Sequence, residues 1–140
     1  GWEYIVKVHN GKLPIRISAV REGTLVDRSN VLLTIENTDV NCFWLTSFVE
    51  TALLRAIWYP TSVATISFYI KKMMKEFLER NSDESAMGGL NFMLHDFGAR
   101  GVSSFESTGI GGVAHLHHGW RSFGLCYYPR TGVHENARRD

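Results

Sequence analysis

Two rows of apolar residues constrain this chain most. Trp44, Phe48 and Ala52 recur at every fourth position, and Leu45, Val49, Leu53 and Ile57 run beside them. Adjacent rows at that spacing form a wide stripe, which predicts a well-buried helix. Asn37-Thr38-Asp39 precedes it and offers side-chain oxygens for capping. Pro60 is expected to end it, because the residue before proline avoids the helical region. A second helix is then predicted from Thr61 or Ser62. Its core face reads Val63, Ile66, Ile70, Met73 and Phe77. Lys71, Lys72, Lys75, Glu76, Glu79 and Arg80 read as its solvated face. Glu50 sits on the polar side of the first helix and reads as an anchor for hydrogen bonds. Residues 37–80 are thus expected to be a helical pair.

The preceding sequence has a different period. Residues 3–9 alternate and are rich in β-branched and aromatic types, and Asn10-Gly11 is a strong hairpin signal. Leu13, Ile15, Ile17 and Ala19 then fall on one face of a predicted strand, with Pro14 pointing to an edge. Turns are expected at Glu22-Gly23 and Asp27–Asn30, and strands at Thr24–Val26 and Val31–Ile35. Residues 1–36 therefore read as a β-rich segment, a small antiparallel sheet or part of a barrel.

Downstream, 81–89 is a polar, glycine-containing loop. Leu90–Phe97 reads as a short buried strand, and 98–101 as a loop. Ser103-Ser104-Phe105-Glu106 fits the S-x-x-E box at a helix start, with the helix running to about Leu116. Strand, loop and capped helix make one βα unit of a parallel α/β system. The fold class expected is α+β: a β-rich part, two packed helices, then the start of a barrel-type α/β domain in 81–116. No internal repeat or low-complexity segment is visible.

Composition matters here for what it excludes. Fifteen Lys and Arg against 14 Asp and Glu leave a net charge of +1, which argues against a nucleic-acid partner recruited by bulk charge. No run of about 18 apolar residues occurs, so no membrane span is expected. Without a charged-then-apolar leader, secretion is not expected either. Cys42 and Cys126 match no metal spacing and suit a reducing, cytoplasmic setting. The opening Gly1-Trp2-Glu3-Tyr4, with no initiator Met, reads as an internal or trimmed piece of a longer protein.

The densest polar cluster is His95-Asp96-Phe97-Gly98-Ala99-Arg100-Gly101, at the C-terminal end of a predicted strand. Ligands gather at that edge in parallel α/β folds. The Asp-Phe-Gly triplet also occurs in protein kinases, but no H-R-D loop or Gly-rich loop accompanies it. Gly109-Ile110-Gly111-Gly112 lies inside a helical pattern, so close packing explains it better than a phosphate loop. His115, His117 and His118 lack a matched partner set, so no metal site is assigned.

A family resemblance rests on specific segments in a fixed order. Asn30-Val31-Leu32-Leu33-Thr34-Ile35-Glu36-Asn37-Thr38-Asp39 resembles the V-L-x-T-V-E-N-T-D stretch of nicotinamide phosphoribosyltransferases. Phe43-Trp44-Leu45-Thr46, Glu50-Thr51, Trp58-Tyr59-Pro60 and Val63-Ala64-Thr65 continue it. So do Leu94-His95-Asp96-Phe97-Gly98, Arg100-Gly101-Val102-Ser103-Ser104, Glu106 and Gly109-Ile110-Gly111. Gly1-Trp2-Glu3-Tyr4-Ile5-Val6 and Leu13-Pro14-Ile15-Arg16-Ile17 belong to it too, so it covers about residues 1–116.

That resemblance implies synthesis of nicotinamide mononucleotide from nicotinamide and phosphoribosyl pyrophosphate, a step of NAD salvage that releases pyrophosphate. It implies a cytoplasmic homodimer with interfacial active sites, Mg2+, and ATP as an energy-coupling substrate. Phe97 matches the aromatic residue that stacks on nicotinamide, and Arg100 the arginine that contacts ring and ribose phosphate. No catalytic residue and no metal ligand is carried over. The sequence departs from the family after Leu116: residues 117–140 do not match, and the aspartate that binds the carboxamide has no counterpart. That tail reads as an aberrant or frameshifted end. The phosphorylated histidine and the diphosphate site also lack counterparts, and Phe68 stands where an S-R-E-Q pattern has arginine. The expectation is a partial enzyme, inactive alone. A non-catalytic binding fragment is the alternative, and a nicotinate phosphoribosyltransferase the third.

Overall fold

The computed structural model describes residues 1–116 and the backbone of 121–122. It divides into two compact units, Gly1–Arg55 and Ala56 onward. Helices and small sheets alternate along both, a mixed α and β architecture. The expected tail 117–140, with His117, His118 and Cys126, otherwise lies outside the described residues.

In the first unit the expected opening strand is a helix, α1, Trp2–His9. Trp2, Ile5 and His9 recur at helical spacing, and each finds a tertiary contact. Trp2 meets the Trp44 ring edge-on at 4.9 Å, Ile5 is buried, and His9 reaches Asp39. Asn10 is not a hairpin turn. It adopts the left-handed conformation that ends α1, and the Gly11 N–H reaches back to the Ile5 carbonyl at 3.1 Å. The same Asn-Gly pair serves a helix end as readily as a hairpin, because both need positive φ.

Strands β1, Ile15–Ala19, and β2, Leu33–Asn37, pair antiparallel with Ile17 opposite Ile35. β2 starts two residues later than expected, and the expected strand at 24–26 is loop. β2 keeps its alternation of half-buried and exposed residues, whereas β1 is exposed beyond Ile15. A two-stranded sheet has only edges, which suits Pro14 just ahead of β1. The core here is Ile5, Cys42 and Leu45, with Tyr4, Ile15, Trp44 and Val49 packed on it.

Helix α2 runs from Leu45 to Asn81 without ending at Pro60. The expected helical pair is therefore one continuous helix. An interior proline removes one helical bond and costs about 3 kcal/mol, a local loss within a helix of 37 residues. In the first unit the Leu45 and Val49 row of α2 is covered, whereas Phe48 of the other row is 63% exposed. That corrects the expectation of a well-buried stripe.

In the second unit the expected core face of α2 is largely outward. Ile66, Met73 and Phe77 are exposed, and Ser67 is fully buried. Val63, Ile70, Met74 and Leu78 are half-buried with it. A short helix, α3, covers Glu84–Met87. The expected strand at 90–97 shrinks to β3, His95–Asp96, preceded by a 3-10 turn at Leu90–Phe92. Leu90 alone of that run is buried, so a strand had little to cover. Helix α4 spans Phe105–Leu116, and β3 pairs in parallel with β4, Arg121–Ser122. Parallel pairing across a helix is the βαβ connection that the strand–loop–helix order predicts.

Candidate functional site

The loop between β3 and α4 carries the two residues singled out from sequence. Asp96 Oδ1 accepts the Gly98 N–H at 2.7 Å, folding 96–98 into a tight turn. A Cβ on Gly98 would lie 2.8 Å from that oxygen, so any larger residue there would push the Asp96 carboxylate aside. A 3-10 turn at Gly98–Arg100 follows, closed by Gly101 N–H to the Gly98 carbonyl at 2.8 Å. Phe97 is 57% exposed. Arg100 is exposed and makes no ion pair among the described residues, including with Glu106.

Arg100 lines a cavity of about 450 Å³ together with Ala99, Val102, Ser104, Phe105 and Thr108. Phe97 stands outside this lining. The floor is the N-terminus of α4, whose cap is Ser104 rather than Ser103. Ser104 Oγ accepts the Ser107 N–H at 3.1 Å, and the Ser104 carbonyl accepts the Thr108 N–H. The capping box is thus shifted by one residue. A guanidinium beside hydroxyls and a helix N-terminus suits an anionic group.

The glycines of α4 pack closely, as expected. Gly109, Gly111 and Gly112 are buried, and a Cβ on Gly111 would come within 3.0 Å of the Tyr59 hydroxyl. Glu50 is exposed, and Lys71 leaves the solvated face to donate to Asn91 Oδ1 at 2.6 Å.

Two networks escaped the sequence reading, because their members are far apart in the chain. In the second unit His115 Nδ1 lies 2.5 Å from Ser67 Oγ, and its Nε2 lies 3.9 Å from Asp96 Oδ2. In the first unit Asp39 accepts three hydrogen bonds. The donors are the Asn41 N–H at 2.8 Å, His9 Nε2 at 2.8 Å and the Tyr4 hydroxyl at 3.0 Å. The Asn41 N–H, then His9, hold its carboxyl down to about 2. Asp39 does cap, as Asn37-Thr38-Asp39 suggested, but it caps the 3-10 turn Val40–Cys42 rather than α2.

No family model matches the chain. It is 55% identical over 116 residues to the nicotinamide phosphoribosyltransferase of Xanthomonas campestris pv. campestris, covering 83% of this chain and 24% of that protein. The nicotinamide phosphoribosyltransferase of Acinetobacter baylyi is 33% identical over 81% of this chain and 22% of its own length. That of Mycoplasma genitalium is 32% identical over 76% and 24%. The chain spans about a quarter of the length of the curated relatives it matches.

Proposed function

The chain is homologous over 83% of its length to nicotinamide phosphoribosyltransferase, and from that premise we propose that it is a partial enzyme carrying the nicotinamide-facing loop. The reaction of the whole would join nicotinamide to phosphoribosyl pyrophosphate. The ring nitrogen forms a bond to ribose C1 as the C1–oxygen bond breaks, and pyrophosphate leaves with the electron pair. The ring becomes a pyridinium cation. The exposed face of Phe97 would stack on it and attract the growing charge. Arg100, beside the cavity at the α4 N-terminus, would hold the ribose phosphate through its guanidinium fork.

The observation that supports this reading is the Asp96–Gly98 turn followed by an exposed Arg100, which lines the cavity at the α4 N-terminus and makes no ion pair among the described residues. Among the described residues no three His, Cys, Asp or Glu side chains gather as metal ligands. Mg2+ and ATP belong to the expected chemistry of the whole enzyme. Within the same reading 81–116 is the opening of a barrel-type domain, and the whole protein is a cytoplasmic homodimer. No described helix is long and apolar enough to cross a membrane.

Stacking contributes roughly 1 kcal/mol beyond area burial, so binding of nicotinamide by this chain alone should be about millimolar at best. A nicotinamide titration followed by NMR tests it. Shifts should center on 96–100, and Phe97→Ala should abolish them. Shifts unaffected by that substitution would refute the assignment, and an equal response to nicotinate would favor the acid-using branch. A non-catalytic interaction fragment is the second reading, supported by the quarter-length match.

A further inference from the structure

We infer that His115 is a positioning residue that braces the 96–100 turn through Asp96. The inference rests on the ligand-facing reading of Phe97 and Arg100, since it concerns what holds them. Three elements of the second unit meet at its ring. Ser67 comes from the middle of α2, His115 from the last turn of α4, and Asp96 from β3. Ser67 is fully buried, so its hydroxyl must be satisfied within the protein. It stands 2.5 Å from Nδ1 of His115.

The hydroxyl can donate to or accept from Nδ1, and each choice fixes one tautomer. If the Ser67 hydroxyl donates to Nδ1, the proton of the neutral ring sits on Nε2. Nε2 faces Asp96 Oδ2 at 3.9 Å, beyond hydrogen-bond reach but within ion-pair reach. The opposite tautomer would aim a lone pair at a carboxylate. The other carboxylate oxygen holds the Gly98 N–H at 2.7 Å. Asp96 thus has one oxygen that would face the Nε2–H dipole of His115 at 3.9 Å and one that shapes the turn. Rotation of its carboxylate would release the Gly98 N–H and with it the turn that leads into Gly98–Arg100. No member of this network needs to touch a ligand.

The test uses the 140-residue chain labelled with nitrogen-15. A long-range spectrum of the imidazole at mildly alkaline pH should show Nε2 protonated and Nδ1 bare for His115. Asp96→Asn, which removes the charge but keeps an oxygen, should weaken that preference. His115→Ala should shift the Gly98 amide toward a non-bonded position, and His115→Gln, which retains an N–H near the Nε2 site, should restore it. Nicotinamide affinity should fall about tenfold in His115→Ala and recover to within about threefold in His115→Gln. An Nδ1-protonated ring, or a Gly98 amide indifferent to His115→Ala in a folded variant, overturns the inference. Equal behavior of the Ala and Gln variants overturns it too. If the wild type shows no nicotinamide response while the tautomer and Gly98 shifts are as expected, the ligand reading fails and the brace stands.

Discussion

Asp39 is tied to α1 by two side chains, His9 and Tyr4, and to its own turn by the Asn41 N–H. Its folded-state pKa of about 2 lies below the ordinary 3.8. A depressed carboxylate contributes stability above its unfolded value and loses it as pH falls toward the folded one. The wild type should therefore be more stable than Asp39→Asn above about pH 4, and the gap should close toward about pH 2. Urea unfolding across that range checks it, and a gap independent of pH would remove the carboxylate from the account. Cys42 is buried, and burial pushes its thiol up. Iodoacetamide should label it at neutral pH only after denaturant is added, as mass spectrometry of its peptide would show. At this scale the loop position of Phe97 and Arg100 was legible, because both follow a predicted strand in one motif. The Ser67–His115 bond was not, because its partners are 48 positions apart and neither position carries a spacing signal.

The elements were legible where local pattern and tertiary cover agree. β2 alternates as read, and α4 is a capped helix, although its cap sits one residue late. The alternation in 3–9 misled, because β-branched residues fit a helix whose Trp2, Ile5 and His9 all find partners. Pro60 misled because one lost bond is small against a helix of 37 residues. The packing of α4 gives a sharper test. Gly111→Ala would gain about 1 kcal/mol of helix propensity, but its Cβ would press the half-buried Tyr59 hydroxyl at 3.0 Å. The substitution should cost about 1 kcal/mol alone and become stabilizing in a Tyr59→Phe background. A double-mutant cycle by thermal melting should give a coupling of about 1 kcal/mol or more, and additivity would mean that the hydroxyl does not set this approach.

The whole chain spans about a quarter of its curated relatives, and turnover is the first thing that fraction should lack. Electrostatic stabilization of the leaving group usually dominates such catalysis. The resemblance implies a diphosphate site, a carboxamide-binding aspartate and a phosphorylated histidine, to none of which a residue of this sequence is assigned. The chain given nicotinamide, phosphoribosyl pyrophosphate and Mg2+ should form no more product than a blank without protein. The second consequence lies on α2 in its second unit. Ile66, Tyr69, Met73 and Phe77 recur at helical spacing and are 59%, 61%, 68% and 61% exposed. Full burial of such a side chain is worth about 1.5–3 kcal/mol, so an uncovered row of four is a strong drive to associate. The chain should bind a hydrophobic dye and elute from size exclusion at a concentration-dependent volume. Ile66→Glu combined with Met73→Glu should abolish both effects. Exposed positions tolerate substitution within about 0.5 kcal/mol each, so the melting temperature should fall by only a few degrees. A dye-negative wild-type monomer would show that the row is covered in solution, and a double variant that unfolds would show that it is core.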